Sequence, residues 1–430
     1  MKTNARQIAY EVLIKIFKDN AFSNLALDAA LKKVRLDARE RSFASALVYG
    51  VCERSISLDY TIEKYLSKPL SKLKPQVLII LRLGAYQILF MDGVPVSAAV
   101  NESVKLSKAN GCAYASGLIN AVLRKISNNG FVLPEESNNI EYLSVKYSCP
   151  QWLIQKWIGE YGIEKTKDIL TYSLKENKIT IRVNTLKTSA QSLMDSLTSK
   201  GVLCEKGVAE SSLMISGLAC SVEELDEFKN GLFHVQGIPS QFCAKALGAK
   251  EGDTVFDLCA APGGKTFTIA EIMNNKGAIK AFDLYESRVA LIKSGASRLG
   301  LDIVSACIGD ASVCDETLGK ADCVLCDVPC SGFGIISKEP EIKFKKKEEI
   351  ESLPELQYKI LKNGSKYVKC CGRLVYSTCT LSKAENENIC RRFLSENPDF
   401  KAEKPFPEIS EDCFATFFPS ESNSDGFFVA

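Results

Sequence analysis

The chain has 430 residues, 46% hydrophobic and 25% charged, which excludes a disordered or fibrous protein and, at this length, calls for two or three domains. Its formal charge is only +2, yet residues 1 to 150 hold 20 Lys and Arg against 13 Asp and Glu, net +7, leaving 34 against 39, net −5, in the remainder. A single histidine, His234, excludes a His-rich metal site, and seventeen cysteines without scaffold spacing fit thiols in a reducing cytoplasm better than a disulfide framework.

The N-terminus has no apolar signal region, and the longest aliphatic run, Val77 to Leu81, is interrupted by Arg82, so neither secretion nor a membrane span is expected. From Asn4 to about Ile126 apolar residues recur at helical spacing: Ile8, Val12, Leu13, Ile16 and Phe17; Phe43, Leu47 and Val51; Leu118, Ile119, Val122, Leu123 and Ile126. This predicts an all-helical domain over 1–130, whose basic excess points to a polyanionic partner. The turn-rich stretch 127 to 139 reads as a linker. Residues 140–235 follow as a small α+β domain. It has a short helix around Trp152 to Tyr161, a strand in which Ile179, Ile181 and Val183 alternate with polar residues, and a helix directly after it.

Over 236–430 strands and helices alternate: TVFDL, helix 264–273, AIKAFD, helix 286–299, IVSACI, CVLCD, helix 353–369, RLVYS, helix 383–396 and a last strand, GFFVA. Strict alternation predicts an open parallel sheet with helices on both faces, which binds ligands beyond the carboxyl ends of its strands. Those ends carry Asp257, Asp283, Asp310 and Asp327. The loop after the first, Cys259, Ala260, Ala261, Pro262, Gly263, Gly264 and Lys265, lets backbone approach a ligand ahead of a helix N-terminus. Asp283 lies where a carboxylate accepts both hydroxyls of a ribose.

CAAPGGKT differs from the phosphate-binding pattern G-x-x-x-x-G-K-[ST] only at Cys259, which admits an NTPase reading. Asp257 would crowd a triphosphate and Asp283 has no purpose in such a site, so S-adenosylmethionine fits better. In the loop DVPCSGFG, Cys330 stands where amine methyltransferases carry an aromatic residue, and a second cysteine, Cys379, ends the fifth strand. Two thiols and Asp327 at a methyl-donor site point to carbon 5 of a pyrimidine. That carbon becomes nucleophilic only after a thiolate adds to carbon 6, and a carboxylate at the N3 edge would stabilise the resulting charge. Since only a few per cent of a thiol of pKa ~8.5 is ionised at neutral pH, the helix predicted just after Cys379 is expected to supply the activating dipole. Cys323, Cys326 and Cys330 form C-x2-C-x3-C, but the first two alternate faces of one strand and no fourth ligand is evident, so no metal is expected.

The motifs DLCAAPGGKT, FDLYESR, GDAS, DVPCSGFG and YSTCTLSKAENE resemble those of the Sun/Fmu family of RNA 5-methylcytosine methyltransferases, and the N-terminal region resembles a NusB-type RNA-binding domain. The resemblance implies a multidomain chain: a NusB-like helical domain, a small RNA-recognition-like α+β domain and a Rossmann-like methyltransferase domain. It makes Cys379 the nucleophile and Cys330 the thiol that assists product release. Cofactor contacts fall at Cys259 through Lys265, Asp283, Asp310 and Asp327. It further implies 16S ribosomal RNA as the partner, with a monomer, no membrane and no metal expected. The alternative is a non-catalytic NusB-like RNA-binding factor whose Rossmann domain only holds a nucleoside. Phe333 and Cys371 depart from the family pattern, which puts local loop shape in question, and the last strand, at the end of the sequence, is expected to leave a weakly held sheet edge.

Overall fold

The computed structural model describes residues 4–137, 139–175, 178–218, 220–406, 412–422 and 424–430, and the chain divides into two compact units. The first comprises residues 1–175 and 336–345. Its helices are Ala5–Asp19, Ser23–Lys32, Ala38–Glu63, Pro75–Phe90, Val96–Ala109, Ser116–Asn129, Asn139–Tyr147 and Gln151–Tyr172. Local chemistry sets where they begin: the side chains of Asn4 and Asp37 accept from the backbone N–H three residues on, and Pro75 occupies a first-turn position that needs no donor. The predicted stripes converge on one core that includes Ile8, Leu13, Leu47, Val51, Ile119 and Leu123. Arg82 crosses that core's edge and closes a two-bond fork on Asp59 at 2.7 and 2.6 Å.

Two segments join this unit that the sequence reading assigns elsewhere. Helix Asn139–Tyr147 packs on Ala38–Glu63 and helix Gln151–Tyr172 packs on Asn139–Tyr147; the Ser57 hydroxyl donates to the Val145 carbonyl at 2.6 Å and the Ile56 N–H donates to Ser148 Oγ at 3.0 Å. The last of them continues well past Tyr161, with a break at Gly162, φ 78°. Residues 336–345, which lie between strands of the main sheet in sequence, also belong to this unit. Glu341 accepts from the N–H and hydroxyl of Ser23 at 2.8 and 2.9 Å, Lys343 donates to the Glu53 carbonyl at 2.7 Å, and Phe344 meets Phe17 with ring centroids 5.0 Å apart.

The second unit comprises residues 176–335 and 346–430. It opens with strands β1 (Ile179–Val183), β2 (Leu203–Lys206), β3 (Ser212–Ser216) and β4 (Phe233–Val235), an antiparallel sheet in the order β2-β3-β1-β4. The inward residues of β1, Ile181 and Val183, bury against Leu193, Leu197, Leu213 and Phe233. This layer joins the next through a buried ion pair, Arg182 Nε donating to Glu271 at 2.8 Å.

The main sheet contains β5 (Thr254–Asp257), β6 (Ala278–Asp283), β7 (Val304–Ile308), β8 (Ala321–Asp327), β9 (Val368–Thr378), β10 (Ala415–Phe417) and β11 (Phe427–Val429) in the order β10-β11-β9-β8-β5-β6-β7. Strands β5 to β9 are parallel, and the order reverses between β5 and β8, the place where such sheets open a ligand crevice. The sheet is not parallel throughout. β11 returns antiparallel to β9, and β10, absent from the sequence reading, closes a hairpin outside it. The last strand is therefore covered: Phe428 and Val429 are fully buried, and the Ala430 and Tyr376 backbones exchange both hydrogen bonds. Among the described residues no helix is long and apolar enough to cross a membrane.

Candidate active site

Each predicted acidic position lies at the carboxyl end of its strand or just beyond, but the four carboxylates have different surroundings. Asp257 is wholly buried; Thr266 donates to one of its oxygens at 2.7 Å, while the other has no partner. Burial pushes its carboxyl up to about 7, so it carries much less charge than a surface aspartate. Its weight against a phosphate ligand is correspondingly smaller than the sequence alone implies.

After β5 the chain turns through a cis Ala261–Pro262 bond into Gly263, φ 114°, where a Cβ would stand 2.2 Å from the Phe267 ring. Only glycine fits there. The helix Gly264–Ile272 follows, and its first N–H groups lack intrahelical partners.

Asp283, 4% exposed, closes β6. One carboxylate oxygen accepts the Tyr285 N–H at 3.1 Å; the other is 3.4 Å from Arg288, which also donates to the Ala261 carbonyl at 3.0 Å. Beside it Leu284, Tyr285 and Ile308 are more than half exposed, an apolar setting at the strand ends suited to a planar base. The carboxylate and these side chains could hold a ribose and a planar base side by side. Asp310 differs: it is exposed, and hydrogen bonds from the Ser312 hydroxyl and from the Ser312 N–H, the latter at 2.9 Å, hold its carboxyl below the ordinary range.

Asp327, closing β8, is held on both sides, by Lys265 Nζ at 2.6 Å and by the Ser377 hydroxyl at 2.7 Å. Burial opposes the charge of Lys265, but Asp327 and the neighbouring thiols outweigh it and keep the ammonium above its usual range. In a phosphate-binding loop that lysine would reach the phosphates; here it is committed to a carboxylate.

Cys330 and Cys379, 49 positions apart, bring their sulfurs to 3.3 Å. Their hydrogen bond, followed by burial, pushes the Cys330 thiol well above its ordinary value. The loops carrying them are joined by backbone, the Gly334 N–H donating to the Cys379 carbonyl at 3.0 Å. The helix expected directly after Cys379 begins only at Glu387. Residues 380–382 run irregularly and 383–386 form turns instead, and the Asn386 side chain bonds Thr378 and Thr380 rather than extending the helix backwards. A helix dipole fades within a turn, so it does not act at Cys379.

Cys323 and Cys326 sit on opposite faces of β8, in separate cores. Among the described residues no group of three or more His, Cys, Asp or Glu is placed to hold a metal. Sequence reasoning missed Ser377 and Arg288, although both lie inside the quoted motifs, Ser377 two residues before Cys379 and Arg288 in the first turn after Asp283.

The profile of the 16S rRNA methyltransferase RsmB/F family matches residues 244–430, that of the NusB family residues 3–128, and that of the ferredoxin-like domain of RsmF/B-like methyltransferases residues 149–223. The chain is 37% identical to the probable ribosomal RNA small subunit methyltransferase B of Bacillus subtilis, covering 100% of this chain and 98% of that protein. It is 29% identical to the ribosomal RNA small subunit methyltransferase B of Proteus mirabilis, over 100% and 99% of the two chains. The crystal structure of PH0851 superposes with a TM-score of 0.84 at 29% identity, covering 100% of this chain and 99% of that one. NSun6 from Pyrococcus horikoshii, solved with SFG, gives 0.60 at 25% identity over 65% and 97%.

Proposed function

Because this chain belongs to the 16S rRNA methyltransferase RsmB/F family, with a NusB-type helical domain ahead of a ferredoxin-like domain and the catalytic sheet, we propose that it methylates carbon 5 of a cytosine in 16S ribosomal RNA through a covalent bond from Cys379 to carbon 6. The supporting observation is the 3.3 Å approach of Cys330 and Cys379 beside an aspartate fixed by Lys265 and Ser377. S-adenosylmethionine supplies an electrophilic methyl on a sulfonium. Asp283 would hold its ribose, with the Cys259 to Lys265 loop along its methionine end.

Cys379 attacks carbon 6, and the electron pair of the C5–C6 double bond moves to carbon 5, which takes the methyl. The Lys265 ammonium, held in place by Asp327, offsets the negative charge that addition creates. Cys330 then helps remove the carbon-5 proton, the double bond re-forms, and the Cys379–carbon 6 bond breaks to return the thiolate. The basic helical unit adds phosphate contacts but no chemistry.

In this account Cys379→Ala abolishes methylation and forms no covalent complex, whereas Cys330→Ala methylates at most once and stays attached to its RNA. Titration with S-adenosylhomocysteine and with ATP separates the methyltransferase, which binds the first, from an NTPase, which binds the second.

A further inference from the structure

The segment after Cys379, residues 380–387, ends in Ala-Glu-Asn-Glu, and two of these residues have no part in the mechanism above. Glu385 is 2% exposed and Asn386 is fully buried. One Glu385 oxygen accepts the Ser331 N–H at 2.8 Å and Gln357 Nε2 at 3.0 Å; the other accepts the Ser331 hydroxyl at 2.6 Å. Gln357 Nε2 also donates to the Pro329 carbonyl at 2.9 Å. Glu385 and Gln357 thus grip both chain neighbours of Cys330. Asn386 does the same for Cys379: it accepts from the Thr378 hydroxyl at 2.6 Å and donates to the Thr380 carbonyl at 2.9 Å. The two grips meet where the hydroxyls of Ser331 and Thr380 bond each other at 2.6 Å.

Burying a carboxylate is costly unless its oxygens are satisfied, and the three donors here are all neutral groups. A carboxylate fits because its two oxygens accept all three donors, whereas an amide in its place would keep one acceptor and lose the other. We propose that Glu385, acting with Gln357, is a positioning residue that holds Cys330 against Cys379, and that product release depends on this placement. The inference rests on the thiol roles given above, with Cys330 acting after methyl transfer.

The test uses the full chain with Glu385→Gln and Gln357→Met, each first checked for an unchanged melting profile and S-adenosylhomocysteine affinity. A short bifunctional thiol reagent, with the linked peptides mapped by mass spectrometry, should join Cys330 to Cys379 in the parent and lose that link in whichever variant retains the parental fold. Turnover should fall at least about tenfold, the effect of one lost bond to a charged group. RNA should accumulate in a covalent complex, as with Cys330→Ala. Unchanged cross-linking in both folded variants would overturn the positioning role. Cross-linking lost with product released at the parental rate, while Cys330→Ala traps RNA, would overturn the link to release. If Cys330→Ala itself traps nothing, the assigned thiol roles fail, and cross-linking still decides whether Glu385 sets the geometry.

Discussion

Replacing Asp283 probes the cofactor assignment with the least disturbance to the fold. One of its oxygens has a structural duty, accepting the Tyr285 N–H at 3.1 Å, and the other has only a 3.4 Å approach from a half-exposed arginine. Asp283→Asn keeps an acceptor for Tyr285 and removes the charge, whereas Asp283→Ala removes both. Charge-assisted bonds to two ribose hydroxyls contribute roughly 1.5 to 3 kcal/mol, so Asp283→Ala should weaken S-adenosylhomocysteine binding by roughly 10- to 150-fold. Asp283→Asn should lie between it and the parent. Asp310→Asn serves as the contrast: its carboxylate is exposed and already bonded to Ser312, so its loss should be much smaller. Isothermal titration on the three variants reads this directly. Parental isotherms for both Asp283 variants would refute the ribose assignment, and an Asp310 effect equal to that of Asp283 would refute the ranking.

Three further outcomes are expected. Lys72→Ala, at an exposed site in the basic helical unit, should weaken RNA binding without changing S-adenosylhomocysteine affinity and lower the slope of log affinity against log salt by about 1, as read from binding isotherms at several salt concentrations. Burial lowers Lys343 from 10.5 to about 8, so between those values the unfolded chain binds the extra proton and stability rises with pH; Lys343→Met should remove that rise in urea melts recorded across the window. Cys371, exposed within β9 at φ 60°, bears left-handed strain of about 1 to 2 kcal/mol that Cys371→Gly would relieve, leaving roughly 0.5 to 1 kcal/mol of gain in a urea melt after the entropy cost of glycine.

The catalytic sheet was legible because each of its loops is local. A strand, a terminal aspartate and a glycine-rich or cysteine-bearing turn are contiguous in sequence, so Asp257, Asp283 and Asp327 could be placed at neighbouring strand ends before any contact was known. What stayed hidden depends on partners far along the chain. Residues 336–345 pack with the helical unit through Ser23, Glu53 and Phe17, roughly 300 positions away, and nothing in their own pattern announces it. The helix after Cys379 starts late because Asn386, a good capping residue by type, is committed to Thr378 and Thr380. The helix dipole expected at Cys379 is therefore out of its reach. β10 escaped notice because it is only three residues long and gains its place by pairing with β11.

The most direct test of the mechanism isolates the complex of Cys330→Ala with cytosine-containing 16S ribosomal RNA, digests both polymers and identifies the joined fragments by mass spectrometry. The expected product is a peptide containing Cys379 bonded through sulfur to a cytidine that has already gained one methyl group. Attachment through any other cysteine, or a methylated nucleoside other than 5-methylcytidine released by the parent protein, would contradict it.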